Sequence, residues 1–143
     1  MLKLLEKLQG QHEHEGMLVL AFEDRQKARL KTRLSDGREV GLFLPRGLTL
    51  RGGDLLKAED GKVIKIEAAR EPVSRVCCDD ARELARISYH LGNRHVAVEV
   101  GNNCVSYLQD HVLDEMVSGM GFKVAHLLSP FEPEAGAYAA HEH

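Results

Sequence analysis

The feature that most constrains this 143-residue chain is a change of hydrophobic period at Glu71-Pro72. Before it, apolar residues recur at every second position. In the stretch Ala28, Leu30, Thr32 and Leu34 they alternate with Lys27, Arg29, Lys31 and Arg33, the pattern of a strand with one wet face. Asp36-Gly37 separates that strand from Glu39–Leu44, and Asp60-Gly61 separates Asp54–Ala58 from Val63–Ala68. Both dipeptides are hairpin signals. Gly16–Phe22 reads as a further short strand, stopped by Glu23-Asp24. Pro45, Gly47, Gly52 and Gly53 mark a loop, and the residues before Gly16 read as polar and solvated. Residues 1–72 are thus expected to form a small all-β domain, a sandwich or barrel.

Beyond Pro72 a helical period appears between short apolar runs. Pro72 is expected to mark the boundary, since proline cannot continue a central ladder. Val73–Cys78 reads as a strand. Asp80 with Glu83 three residues on forms a helix start, and Leu84, Ile87, Ser88 and Leu91 follow at helical spacing to Gly92, a natural terminator. His95–Val100 and Cys104–Leu108 flank Gly101-Asn102-Asn103 as a hairpin. Asp110 caps a second helix carrying Leu113, Met116, Val117 and Met120 and stopped by Gly121, and Lys123–Leu128 is the last strand. The order is βαββαβ, so residues 73–130 are expected to form a ferredoxin-like domain and the chain an α+β protein. From Pro130 onward the chain has two prolines, small residues and charge, and residues 131–143 read as a flexible tail.

Composition narrows the function. Nineteen Lys and Arg against 22 Asp and Glu leave a net charge of −3, without the basic excess of a nucleic-acid binder. Aromatics make up 5% of residues and Trp is absent, so base-stacking platforms are poorly supplied. No apolar run reaches the roughly 20 residues of a membrane-spanning helix, and the first residues lack a signal-peptide pattern. The three cysteines, Cys77, Cys78 and Cys104, have no framework spacing and read as small buried hydrophobes in a reducing compartment, the cytoplasm.

Histidine is the unusual residue, with eight copies. His90 closes the first helix of the second domain and His95 follows the Gly92-Asn93 break. Imidazole suits nickel, zinc and copper, although a histidine in a last helical turn is also favoured by the helix dipole. His141 and His143 form an H-x-H pair at the chain end, and His12 and His14 form another. His111 opens the second helix. His126 alternates within the last strand and reads as a half-buried packing residue. Phosphate loops, H-E-x-x-H, C-x-x-C and G-x-S-x-G are all missing, and no general base is selected by spacing. A metal carrier therefore fits these residues better than a zinc hydrolase, and an adaptor with incidental histidines is the alternative.

The stretches SDGREVGLFLPRG, LRGGD, YHLGNRHVAVEV, DHVLDEM and PFEPEAGAY together resemble the urease accessory protein E family, from about Arg25 to Tyr138. The resemblance implies a peptide-binding-like N-terminal domain and a ferredoxin-like domain that dimerises. It implies that His95 meets its symmetry mate and binds Ni2+, with zinc or copper able to compete. His141 and His143 would then supply further ligands from the tail. It also implies delivery of nickel to the urease apoprotein alongside other accessory proteins, including a GTPase. Two departures stand out. The tail ends at H-E-H where some relatives carry many histidines, and Gln109-Asp110-His111 stands where some carry H-D-H. His111 alone would bind weakly, and His90 adds a further candidate.

Overall fold

The protein is described here from a computed structural model, which places residues 1–136. The chain separates into two compact units, Met1–Ala69 and Arg70–His143. No helix among the described residues is long and apolar enough to cross a membrane.

The first unit is mostly β. Its strands are β1 (Leu2–Lys7), β2 (Gly16–Leu20), β3 (Arg29–Arg33), β4 (Glu39–Phe43), β5 (Leu55–Ala58) and β6 (Val63–Ala68), with one short helix, α1 (Phe22–Arg25). They form one mixed sheet in the order β2-β6-β5-β1-β4-β3, and Ser35 N, just past β3, donates to Met17 O of β2, so the two ends of the sheet meet. β1 runs parallel to β4 and β2 parallel to β6, and the remaining pairs are antiparallel. The two hairpins fall at the expected turns, where Gly37 (φ 93°) and Gly61 (φ 90°) take the left-handed conformation. Alternation drives the burial. Leu18 and Leu20 of β2, Val40 and Leu42 of β4, and Ile64 and Ile66 of β6 join one apolar core. Two elements differ from expectation. Leu2–Lys7 is a strand, because Leu4 is wholly buried between β4 and β5. The strand expected over Gly16–Phe22 ends at Leu20, and Glu23-Asp24, expected to stop it, lies inside α1.

The second unit contains β7 (Arg70–Cys77), α2 (Ala81–Asn93), β8 (Glu99–Val100), β9 (Cys104–Leu108), α3 (His111–Gly119) and β10 (Ala125–Pro130). The sheet order β10-β7-β9-β8, antiparallel throughout, is that of a ferredoxin-like fold. Both helix starts follow the expected caps. Asp80 Oδ1 accepts from Glu83 N at 2.7 Å, and Asp110 Oδ1 accepts from Val112 N at 2.9 Å. Val76, Val105 and Tyr107 pack against Ile87, Leu91, Leu113 and Val117, so both helices cover one face of the sheet.

Four expectations are corrected here. Pro72 lies inside β7, which begins at Arg70 rather than at Val73. Its carbonyl accepts from Gln109 N at 3.1 Å just beyond the last β7–β9 register pair, so the proline sits where that ladder ends and forgoes only the terminal reciprocal bond. Helix α2 runs through Gly92 to Asn93, and the segment from His95 to Val98 is not strand. Cys77 and Cys104, opposed across β7 and β9, form a disulfide, leaving Cys78 as the free thiol. Finally, residues 131–134, expected to begin a flexible tail, are packed. Phe131 is fully buried, Glu132 N donates to Glu99 Oε1 at 2.9 Å, and Glu134 N donates to Val98 O at 2.8 Å.

Candidate functional site

The end of α2 is the most constrained point in the second unit. Arg94 N donates to Leu91 O at 3.1 Å and His95 N donates to Gly92 O at 3.0 Å, closing the last helical turn. His95 then takes φ 56°, the sole positive φ among the described non-glycine residues. A side chain in this region costs about 1 kcal/mol, and histidine is one of the few residues enriched there. The helix therefore ends on a histidine where a glycine would be easier. The bend throws the chain from α2 toward β8, and His95 is exposed at its corner. Val96 and Val98, which follow, pack against the core and anchor the corner from below.

The other expected histidines are dispersed. His90 is half-buried in the last turn of α2, its ring edge-on to that of Tyr89 at 5.2 Å between centroids. His111 is the first residue of α3 and exposed, with Nε2 3.1 Å from Glu115 Oε1 one turn on. His12 lies in the exposed connection between β1 and β2, with Nε2 2.7 Å from Gln9 O, and His14 is exposed in the same segment. His141 and His143 lie outside the described residues. Among the described residues, no three His, Cys, Asp or Glu side chains converge in a way that could hold a metal ion. Any site within these residues therefore needs ligands from a second molecule, from the tail, or from water.

One arrangement was not visible in the sequence. His126 is exposed, not half-buried, and its Nε2 lies 2.7 Å from Asp114 Oδ2. Ser74 Oγ and Tyr107 OH, both buried, each donate to Asp114 Oδ1 at 2.7 Å. Burial pushes the Asp114 carboxyl up, but the hydrogen bonds from Tyr107, Ser74 and His126 outweigh it and hold the group below its ordinary value. Burial and the adjacent Asp114 charge push the Tyr107 hydroxyl up, so it stays a donor. With Asp114 ionised, His126 donates from Nε2 and turns Nδ1 outward, 3.4 Å from the Gln109 amide. Asp114 and His126 sit on different elements twelve positions apart, so no local spacing signals the pair.

On the first unit, Lys27, Arg29, Lys31 and Arg33 are all exposed, and β3 is an edge strand of its sheet. Arg29 lies over the Phe43 ring at 5.4 Å and Lys3 at 5.6 Å, so part of this charge is stacked on an aromatic face.

Comparison with known proteins covers both units. Residues 1–69 match the family model described as the UreE urease accessory protein N-terminal domain, and residues 71–143 match that of the C-terminal domain. The urease accessory protein UreE of Alkalilimnicola ehrlichii is 51% identical over 138 residues, which span 96% of this chain and 85% of that protein. Its counterpart from Proteus mirabilis is 52% identical over 121 residues, 85% of this chain and 75% of its own. The protein of the same name from Enterobacter sp. (strain 638) is 47% identical over 144 residues, 100% of this chain and 95% of its own.

Proposed function

The chain belongs to the UreE family of urease accessory proteins, and from that premise we propose that it is a metallochaperone that binds Ni2+ and delivers it to the urease apoprotein. The observation that carries the reading is His95, an exposed imidazole held in a left-handed backbone at the end of α2. Strain of this kind persists where the surrounding structure over-determines it, and it clusters at functional positions.

In this reading the second unit is the metal-binding and dimerising domain. One His95 from each protomer meets at a two-fold axis, where a single residue per chain becomes two ligands. This accounts for the lack of a converging set among the described residues of one protomer. His141 and His143 from the tail, with water, complete the sphere. His111 and His90 act as weak outer ligands. Zinc and copper compete, because imidazole ligands do not discriminate strongly among these ions. The first unit, peptide-binding-like, meets partner proteins. Those are the urease apoprotein and the other accessory proteins, including the GTPase that completes maturation. The protein works in the cytoplasm as a carrier without turnover of its own.

Nickel titration by calorimetry tests the proposal, on wild type, on His95→Ala, and on a chain stopped at Tyr138, with solution mass measured alongside. A dimer binding about one tight Ni2+ that His95→Ala abolishes is the expected outcome. Equal affinity in wild type and His95→Ala would overturn the His95 site and move the adaptor reading ahead.

A further inference from the structure

The Cys77–Cys104 disulfide takes no part in the function argued above. Its position is unusual for a purely structural link. Val76 and Val105, the adjacent register pair, face the helices, so Cys77 and Cys104 point to the helix-free face. Cys77 is exposed and Cys104 half-buried. Cys104 lines an open cavity of about 330 Å³ together with Arg75, Glu99, Asn102, Asn103 and Ser106. Arg75 is fixed there by donating to Ser106 Oγ at 2.9 Å and to Ser129 Oγ at 3.3 Å. The cavity thus brings the positioned Arg75 guanidinium, two asparagines and the Glu99 carboxylate, which already accepts from Glu132 N, beside Cys104. Exposed disulfides are the labile and regulatory ones. Cys78, by contrast, is half-buried beside Glu83, Asp80 and Asp79, and burial together with these carboxylates keeps it a thiol.

The covalent ring also encloses a defined part of the fold. Cys77 and Cys104 are 27 positions apart, and between them lie α2, His95, the unpaired residues 96–98 and β8. β8 is held to β9 by two register pairs only, Glu99↔Ser106 and Val100↔Val105. The turn Gly101–Asn103 then leads directly into Cys104. The far end of the His95 excursion is therefore held by two ladder pairs, by Glu134 N and Glu132 N donating to Val98 O and Glu99 Oε1, and by the sulfur bridge, the one covalent tie among them.

We propose that Cys77–Cys104 is a reversible thiol–disulfide exchange site for a small anionic thiol of the glutathione class, and that its oxidised form tightens the segment bearing His95. The effect on nickel rests on the reading of His95 given above, whereas the exchange chemistry does not. In the reductive direction a thiolate attacks Cys104 Sγ from the cavity. A mixed disulfide forms, the Cys77–Cys104 bond breaks, and Cys77 leaves as a thiolate that takes a proton from water. A second thiol attacks the mixed disulfide and releases the oxidised pair, so two thiols give up two electrons and two cysteine thiols result. Oxidation reverses these steps with the disulfide form of the same thiol.

The 143-residue protein, equilibrated at a series of reduced-to-oxidised glutathione ratios, quenched with iodoacetamide in denaturant and weighed, tests the exchange. One alkylated cysteine at the oxidising end and three at the reducing end, reached from either direction, is expected. Glutathione should outpace cationic cysteamine at equal thiolate concentration, and Arg75→Gln should remove that preference. Three alkylated cysteines at every ratio, one at every ratio, or no preference between the thiols would overturn the site. Amide exchange over residues 94–98 should be slower in the oxidised protein. Its nickel affinity should be about three- to tenfold above that of Cys77→Ser/Cys104→Ser, which lacks both sulfurs as ligands. Reduced, alkylated wild type should match that double variant. Equal amide exchange in both redox states would refute the tightening. If His95→Ala leaves nickel affinity unchanged, the carrier reading fails, and the thiol counts and amide exchange still decide this proposal.

Discussion

Replacing Asp114 with alanine removes the acceptor shared by two buried hydroxyls. Ser74 is 0% and Tyr107 1% exposed, and both donate to Asp114 Oδ1. A buried donor left without a partner costs about 1–3 kcal/mol, so two orphans set a range of about 2–6 kcal/mol. The Asp114 side chain is itself 17% exposed, so water can enter the vacated space and solvate part of the pair. The lower part of the range, about 2–3 kcal/mol, is therefore expected. Urea unfolding followed by circular dichroism measures it. At about 1 kcal/mol per molar for a unit of this size, the midpoint of the second unit should fall by about 2–3 M. Tyr107→Phe alone should cost about 1 kcal/mol, because Asp114 keeps Ser74 and His126. Combining Asp114→Ala with Tyr107→Phe should cost less than the sum of the two, since removing the Tyr107 hydroxyl leaves Ser74 as the single orphaned donor. Additive losses would show that the hydroxyl and carboxylate do not interact as described.

The same carboxylate fixes a pH dependence. Its folded value is depressed, so its stabilisation is present above the unfolded value near 3.9 and is lost as pH falls through the lower folded value. The stability gap between wild type and Asp114→Asn should hold steady from about pH 5 to 8 and shrink below about pH 4. A gap unchanged down to pH 3 would contradict the depressed value.

His95→Gly should raise thermal stability by about 0.5–1 kcal/mol, by relieving the left-handed strain, while weakening nickel binding. A loss of stability in that variant would mean that the ring makes contacts outweighing the strain. Asp80→Ala and Asp110→Ala should each cost about 1 kcal/mol of stability in urea, because each removes an N-cap acceptor. Nickel affinity by chelator competition should fall as pH drops from about 7.5 to 5.5, since imidazole must be neutral to ligate. A flat profile would point to ligands other than histidine. Leu91→Ala, at a fully buried position one turn before His95, should cost about 2–4 kcal/mol by the same urea assay.

Local chemistry made some of this architecture legible. Asp80 and Asp110 cap their helices because a short carboxylate before an apolar period has one favourable use, and Asp36-Gly37 and Asp60-Gly61 turn because glycine accepts φ near +90°. The errors arose where tertiary contacts outvoted local preference. Gly92 looked like the end of α2, but burial of Leu91 and the following valines carries the helix on, and the left-handed residue falls on His95. The residues before Gly16 read as polar and solvated, yet a central position between β4 and β5 makes LKLLEK a strand, burying Leu4 and leaving Lys3 and Glu6 in water. The opposition of Cys77 and Cys104 depends on the register of β7 against β9, which no spacing rule supplies. The Asp114–His126 contact depends likewise on β10 lying beside β7 under α3. The place of His95 after a helix stop is legible in the sequence, whereas its left-handed backbone is not.

The central placement of β1 has a consequence during synthesis. Leu2–Lys7 is the earliest of the ten strands to leave the ribosome, yet its neighbours are β4 (Glu39–Phe43) and β5 (Leu55–Ala58). At about 5–20 residues per second, both partners arrive only after about 3–10 s of further elongation. Until then Leu2, Leu4 and Leu5 are carried by a nascent segment that cannot yet pair. Lys3, Glu6 and Lys7, interleaved with those leucines, keep the waiting strand charged and poorly suited to stack with copies on neighbouring ribosomes.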